Sequence, residues 1–286
     1  MTHARVIALT SIAMVAFAGN SLLCRVALLQ TNIDAASFTT IRLIAGALTL
    51  WLVASYARGT VKGEGNWLSA FSLFAYAAGF SFAYVSLPTG TGALLLFGAV
   101  QATMIGHGIW AGERLQNRQW LGLIFALAGL IGLLLPGLSA PPLIGSILML
   151  AAGVSWGIYS LRGRGAGDPI RVTAGNFLRA VPVALLMSFM TLNYTSIDAS
   201  GIWYAIASGA FASGIGYAIW YSVLPALKAT NAATIQLSVP VIAAIGGILF
   251  LGESLSLRLV LASVAILGGI ALVFFCRDKR KNTNPH

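Results

Sequence analysis

Long runs of apolar residues dominate this chain, and they restrict its fold more than any other feature. The 286 residues are 58% hydrophobic and only 8% charged, whereas an ordinary soluble domain is about 25% charged. A bilayer core about 30 Å thick requires roughly 20 apolar residues per spanning helix. Charged residues, prolines and glycine clusters divide the chain into ten such runs. The sequence therefore predicts a membrane protein.

The ten runs predict ten transmembrane helices. The predicted spans are 5–29, 36–57, 67–87, 90–111, 119–136, 142–162, 172–191, 200–223, 229–251 and 257–276. The linkers are too short for a soluble domain, and helices satisfy their backbone hydrogen bonds without leaving a strand edge in lipid. We therefore expect an all-α membrane protein with one integrated membrane domain.

The basic residues fall mainly on one side of the predicted helices. With the N-terminus in the cytoplasm, thirteen of the seventeen lie in inner segments: Arg5, Arg58, Lys62, Arg114, Arg118, Arg162, Arg164, Arg171, Lys228, Arg277, Lys279, Arg280 and Lys281. Cytoplasmic loops are enriched in Lys and Arg. We expect a multi-pass protein of the cytoplasmic (inner) membrane with both termini in the cytoplasm. The net charge of +10 then reflects topology and not nucleic-acid binding.

The first apolar run also resembles a cleavable signal peptide. His3 and Arg5 precede it, and Ala16-Phe17-Ala18 has the small residues of a cleavage site. The apolar run continues past that site, however, and the internal repeat requires this helix. We expect the helix to be retained.

The chain contains an internal repeat. Residues 89–135 align without a gap with residues 229–275, and the pattern Gly-Glu-x-Leu-x-x-Arg begins at both Gly112 and Gly252. Further matches at slightly different offsets are Gly79, Tyr84, Leu87 and Pro88 with Gly216, Tyr221, Leu224 and Pro225, and Arg42 with Arg179. The sequence thus predicts two five-helix repeats, residues 1–138 and 139–286.

The two repeats are expected to have opposite orientations. Five is odd, so the second repeat must cross the membrane in the opposite sense, and Arg118 falls inside while its counterpart Arg258 falls outside. Inverted repeats are typical of transporters with a substrate site at the repeat interface near the midplane. We therefore predict a secondary transporter that works by alternating access. The alternative is a repeat that serves only to build a stable bundle.

Several short motifs carry a family resemblance over essentially the whole chain. They are Gly19-Asn20-Ser21, Phe38-Thr39-Thr40-Ile41-Arg42, Gly112-Glu113-Arg114-Leu115, Trp156-Gly157, and Pro240 followed by Gly252-Glu253-x-Leu255. With them the chain resembles the EamA-type members of the drug/metabolite transporter superfamily, which have ten helices in two repeats. It is most similar to the YddG-type exporters of aromatic amino acids.

The resemblance implies export of aromatic or other apolar amino acids, or of similar compounds, without a cofactor. An exporter of drugs, organic cations or another metabolite class is the alternative. Two positions depart from the family pattern: Val100-Gln101 replaces a proline in the fourth helix, and Ala18 stands where the first helix has a tryptophan. Gating on that side is expected to differ.

Polar residues inside the spans are candidates for substrate binding or gating, because burying them in lipid is costly. Asn20, Gln101, Gln236 and His107 are the candidates of this kind. Each either contacts substrate or bonds a neighbouring helix.

Aromatic residues form stripes on three predicted helices. Tyr76, Phe80 and Tyr84 recur every four residues and so share a helix face. Tyr217 with Tyr221, and Trp156 with Tyr159, are the other candidates. An aromatic cavity would bind a flat, partly apolar substrate by stacking. The alternative for each residue is contact with lipid or the interface.

Four charged residues are assigned to structure or gating. Arg42 and Arg179 occupy matching repeat positions, where each either caps helix ends or binds a carboxylate bidentately. A structural role is favoured, because side chains at this depth can snorkel to the interface. Glu113 and Glu253 lie at helix ends and are expected to hydrogen-bond neighbouring helices.

No Asp or Glu lies in the centre of a predicted span. A buried carboxylate relay for protons is therefore not expected. This favours facilitated diffusion or exchange, or proton coupling through His107, because imidazole changes charge in the physiological pH range.

An intramembrane enzyme would need a nucleophile with its base, paired aspartates or a metal set at bilayer depth. The spans contain no such constellation, so we expect neither catalysis nor a bound metal. A channel remains the other alternative. The expected partners are a small-molecule substrate and the lipid bilayer; a monomer suffices, and an oligomer stays open.

Overall fold

A computed structural model describes residues 2–56, 65–112, 114–137, 140–163, 168–227 and 229–282. The α-helices are α1 (His3–Gln30), α2 (Ala35–Tyr56), α3 (Trp67–Tyr84), α4 (Thr89–Trp110), α5 (Asn117–Leu134), α6 (Leu143–Arg162), α7 (Pro169–Met190), α8 (Ala199–Ala207), α9 (Gly216–Val223), α10 (Ala229–Gln236), α11 (Ser238–Leu251) and α12 (Leu257–Asn282). Short 3-10 turns cover Leu192–Tyr194 and Leu224–Ala226. Within these residues the predicted all-α class is confirmed.

Eight helical stretches of the described residues are long and apolar enough to cross a membrane. They are His3–Gln30, Ala35–Tyr56, Thr89–Trp110, Asn117–Leu134, Leu143–Arg162, Pro169–Met190, Ala199–Ala226 and Thr234–Leu251. Leu257–Val273, the first part of α12, is a shorter apolar stretch. Helix α3, with its serines, tyrosines and tryptophan, has a lower hydropathy than the eight. The crossing of all ten segments stays a prediction.

The eighth predicted span is not a regular helix. Between α8 and α9, residues Ser208–Ile215 form a π-helical segment that contains two serines and two glycines. A Cβ on Gly209 would overlap the carbonyl oxygen of Arg42 on α2. The π segment therefore brings the backbones of two helices into close contact.

The ninth predicted span is interrupted at Leu237, between α10 and α11. Pro240 lacks an N–H, so the carbonyl of residue 236 loses its partner in the next turn. The Leu237 N–H instead donates to the Thr234 carbonyl, one residue closer than in an α-helix. The corresponding helix α4 has Val100 at the matching position and runs without a break.

Helices from the two halves of the sequence interleave. α2 packs on α7, α5 on α12, and α6 on both α3 and α4. α1 correspondingly packs on α9, the π segment and α11. The core is therefore shared by the two halves.

Small residues allow the closest of these approaches. At the α5–α12 crossing, a Cβ on Gly269 would overlap the carbonyl oxygen of Gly122 and lie 2.7 Å from the amide nitrogen of Ala126. In a bilayer, where lipid is as apolar as leucine, such backbone contact is a main source of helix association. The adjacent Gly268 has nothing within 4 Å of its Cβ position.

We expect Gly269→Ala to lower the free energy of unfolding by about 1–3 kcal/mol, because the added methyl group forces α5 and α12 apart. Gly268→Ala is the matched control and should be neutral or stabilising by about 0.5–1 kcal/mol, since alanine favours a helix. Unfolding in detergent, followed by circular dichroism, measures both. Equal losses in the two variants would contradict the close crossing.

Candidate functional site

The aromatic stripes of three helices meet in one cluster in the centre of the bundle. The ring centroids of Tyr76 on α3 and Trp156 on α6 are 4.7 Å apart. Trp156 stacks on Tyr217 of α9 at 5.3 Å with an interplanar angle of 19°, and on Tyr159 at 5.1 Å. This aromatic cluster comprises Phe17, Tyr76, Phe80, Tyr84, Trp156, Tyr159, Phe177, Tyr217, Trp220 and Tyr221.

A chain of hydrogen bonds crosses the aromatic cluster and links four helical segments. The Tyr76 hydroxyl accepts from Arg42 Nη2 on α2 at 3.0 Å and from Asn20 Nδ2 on α1 at 3.3 Å. Asn20 Oδ1 in turn accepts from Ser208 Oγ, on the π segment, at 2.6 Å. All four residues are buried. This polar chain runs from Arg42 in the first half to Ser208 in the second.

The side chain of Arg42 does not snorkel to an interface. Arg42 is 1% exposed, and its guanidinium carbon lies 5.3 Å from the ring centroid of Tyr76 and 4.8 Å from that of Phe80. Arg179, its counterpart in the predicted repeat, is half-buried and donates from Nη1 to the Gly175 carbonyl, one turn back on its own helix. The two arginines thus lie in different environments.

Sequence reasoning missed four members of this site: Phe17, Phe177, Ser208 and Trp220. The serines and glycines of 208–214 in an otherwise apolar span were a usable signal, because such residues mark close packing or polar contact in membrane helices. Trp220 lies three residues after Tyr217, so its helical spacing was also a usable signal. Phe17 and Phe177 belong to no spaced stripe, and only the packing of α1 and α7 against α9 shows that they share the site.

The remaining polar candidates lie outside the aromatic cluster. Gln101 on α4 is 1% exposed, and its Oε1 has no hydrogen-bond partner within the described residues. Gln236 is half-buried at the end of α10, next to the interruption at Leu237. His107 is exposed, and the centroid of its ring lies 6.1 Å from that of Trp110. Glu113 lies outside the described residues.

Glu253 closes one end of the bundle. Both of its carboxylate oxygens accept from the Thr89 N–H at the start of α4, at 2.8 and 3.0 Å. Arg25 Nε lies 3.4 Å from Glu253 Oε1, and Arg25 Nη1 donates to the carbonyls of Tyr84 and Val85. This Glu253 clamp joins α1, α11 and the α3–α4 turn.

The Gly-Glu motif explains how Glu253 is positioned. Gly252 ends α11 with φ +64°, a left-handed conformation that glycine adopts without steric cost. The Glu253 N–H then donates to the Gly247 carbonyl at 3.1 Å, and its side chain turns towards α4. A carboxylate at the positive end of the α4 dipole is also electrostatically favoured.

Groups of three or more His, Cys, Asp or Glu side chains that could hold a metal are absent from the part of the chain that the structure describes. What the site offers is apolar rings, hydroxyl and amide groups and one buried guanidinium. Such a set can bind a small molecule with an apolar part and a polar part.

We expect Glu253→Gln to lower the free energy of unfolding by about 1.5–3 kcal/mol, because it weakens hydrogen bonds to a charged group. Asp168→Asn is the control: Asp168 caps the start of α7, and asparagine caps a helix equally well. The control should change stability by no more than about 0.5 kcal/mol. Unfolding of the two variants in detergent provides the comparison. An unchanged free energy of unfolding in Glu253→Gln would argue against a clamp.

Comparison with known protein families matches residues 143–275 to the EamA-like transporter family. An uncharacterized protein of Pseudomonas aeruginosa is 55% identical over 274 residues, which cover 96% of each chain. The uncharacterized transporter YoaV of Bacillus subtilis is 23% identical over 85% of this chain and 88% of its own.

The threonine/homoserine exporter RhtA of Escherichia coli is 32% identical over 162 residues, 53% of this chain and 54% of RhtA. Among solved structures, one crystal structure superimposes with a TM-score of 0.67 over 96% of this chain and 99% of the other. Its sequence is 18% identical, so this likeness concerns the fold alone.

Proposed function

Because the chain belongs to the EamA-like transporter family, we propose that it is a secondary carrier that exports small metabolites across the cytoplasmic membrane by alternating access. The observation that carries the proposal is the aromatic cluster with its polar chain, which lies between the two halves of the sequence. Inverted-repeat transporters bind substrate at that interface.

We propose ten membrane crossings in two inverted repeats, 1–138 and 139–286, with both termini in the cytoplasm. The helix contacts support this. In the proposed repeat α1 corresponds to α6, α3 to the eighth span and α4 to α11. The contact of α3 with α6 therefore corresponds to that of the eighth span with α1, and the contact of α4 with α6 to that of α11 with α1. The pairs α2–α7 and α5–α12 convert into themselves. An approximate two-fold axis requires this pairing.

The proposed substrates are amino acids with an aromatic or other apolar side chain. Aromatic rings of three helices face one another in the cluster, and each stacked pair is worth about 0.5–1.5 kcal/mol. The similarity to RhtA, named for export of threonine and homoserine, supports amino acids as a class. The buried cation Arg42 disfavours the alternative of organic cations, because like charges repel at such a site.

Facilitated diffusion or exchange is the proposed mode of transport. The described carboxylates Asp34, Asp168, Asp198 and Glu253 lie at helix ends, and His107 is exposed and lies outside the aromatic cluster. A proton relay through the cluster would need a group that titrates near neutral pH within it. The gradient of the substrate itself, or of an exchanged metabolite, would then drive transport.

Purified protein in liposomes tests the proposal. Liposomes preloaded with unlabelled phenylalanine should accumulate labelled phenylalanine by counterflow, which a channel does not support. Trp156→Leu removes the indole that stacks on Tyr159 and Tyr217 and contacts Tyr76, and it should lower transport by about tenfold or more.

Trp110→Leu is the matched control, because Trp110 is 86% exposed, and its transport should equal that of the unchanged protein. A panel of labelled sugars, nucleosides and organic cations completes the measurement. Counterflow of sugars without any amino acid would contradict the substrate class. Absence of counterflow for every compound would contradict the carrier.

Topology reporters test the inverted repeat. We expect alkaline phosphatase fused after residue 137 to be active, because the first five helices end outside. Fused after residue 282 it should be inactive, and green fluorescent protein at that position should fluoresce. Activity of the phosphatase at both positions would contradict an odd number of crossings in the second repeat.

A further inference from the structure

Arg42 is a buried cation whose hydrogen-bonding capacity is mostly unused. Nη2 donates to the Tyr76 hydroxyl, whereas Nε and Nη1 are buried and have no hydrogen-bond partner among the residues that the structure describes. The rings of Tyr76 and Phe80 contact the guanidinium. Cation–π contact offsets part of the cost of burying a charge, but it satisfies none of the N–H groups.

The carboxylates whose side chains the structure describes are all engaged elsewhere. Asp34 accepts from the N–H groups of residues 36, 37 and 196, and Asp168 and Asp198 cap α7 and α8. Glu253 belongs to the clamp with Arg25. Among the side chains that the structure describes, Arg42 therefore lacks a counter-ion, and an uncompensated buried charge is strongly unfavourable. An anionic ligand would provide both the charge and the acceptors.

The position of Arg42 indicates what kind of anion fits. The guanidinium lies at the edge of the aromatic cluster and at one end of the polar chain through Tyr76 to Asn20 and Ser208. An inorganic anion would contact the guanidinium but would have no apolar group to pack against the rings. A carboxylate attached to an apolar group would use both, and guanidinium binds carboxylate with two parallel hydrogen bonds.

We propose that Arg42 binds the carboxylate of the transported compound while the aromatic cluster holds its apolar part. The inference rests on the proposed transport function and narrows its substrates to organic carboxylates. The half-buried repeat counterpart Arg179 bonds the backbone of its own helix. The binding site is accordingly single and asymmetric, although the fold is repeated.

Competition in the phenylalanine counterflow assay tests this inference with four probes. 3-Phenylpropanoate keeps the carboxylate and lacks the amine, whereas phenylalaninamide and phenethylamine lack the carboxylate. Inorganic phosphate reports a general anion site. We expect 3-phenylpropanoate to inhibit at concentrations about thirtyfold or more below the amide and the amine, and phosphate not to inhibit.

Variants assign the preference to Arg42. Arg42→Met removes the charge at similar length, and the acid should lose its advantage over the amide. Arg42→Lys keeps the charge without the planar fork and should raise KM for phenylalanine while retaining a preference for the acid. Arg118→Met, an exposed arginine on α5, is the control and should keep the full preference. If Arg42→Met does not fold, the Arg42→Lys shift in KM decides.

The outcomes separate this inference from the transport function. Equal inhibition by the acid, the amide and the amine would overturn the carboxylate site and leave the carrier intact, and inhibition by phosphate at the same concentrations would replace it with a general anion site. If no compound is transported, binding of 3-phenylpropanoate, followed by the tryptophan fluorescence of the purified protein, decides. Binding that Arg42→Met abolishes would retain the site without the carrier. The absence of binding would overturn both.

Discussion

A polar group inside a bilayer must find its partner within the protein, because lipid offers none. This constraint explains where the polar side chains of the described helices lie. Gln119 on α5 donates to the Val273 carbonyl on α12, and Thr40 on α2 bonds the Ala184 carbonyl on α7. Asn20 bonds both Tyr76 and Ser208. Each of these bonds crosses between the two halves or joins helices around the central site. These polar groups therefore obtain their hydrogen-bond partners when the helices pack together.

The sequence predicts the helices well because their signal is local. Apolar length identifies the segments, and glycine or proline marks where they end. The interruptions were not predicted. The π segment depends on how Gly209 packs against α2, whereas Pro240 lies inside the predicted span 229–251 and was a usable signal for the interruption at Leu237. The Gly-Glu motif was recognised as a helix end. The contact of Glu253 with the start of α4 is tertiary, and the internal sequence repeat alone does not predict it.

The candidate site was predictable as separate pieces and not as a whole. Periodicity places Tyr76, Phe80 and Tyr84 on one helix face, but only packing brings Trp156 into contact with Tyr76, and Tyr217 into contact with Trp156. Arg42 shows the limit most clearly. Its distance from the helix end favoured snorkelling, yet the surrounding helices bury it. No pattern in a single sequence shows which side chains the neighbouring helices bury. His107 is the reverse case, since a lone histidine in a span suggested a role that its exposed position does not support.

The two halves of the proposed repeat differ at the residues that would contact a ligand. Pro240 interrupts one helix where Val100 leaves its counterpart α4 intact, and Arg42 is buried where Arg179 is not. The polar chain starts on the first half, at Arg42, and ends on the second, at Ser208. A relative movement of the halves must therefore change the hydrogen bond between Asn20 and Ser208, the bond of this polar chain that joins the two halves. A ligand shifts a conformational equilibrium only through its different affinity for the two states. A site that spans both halves satisfies that condition, whereas a site built within one half would move as a rigid unit and favour neither state.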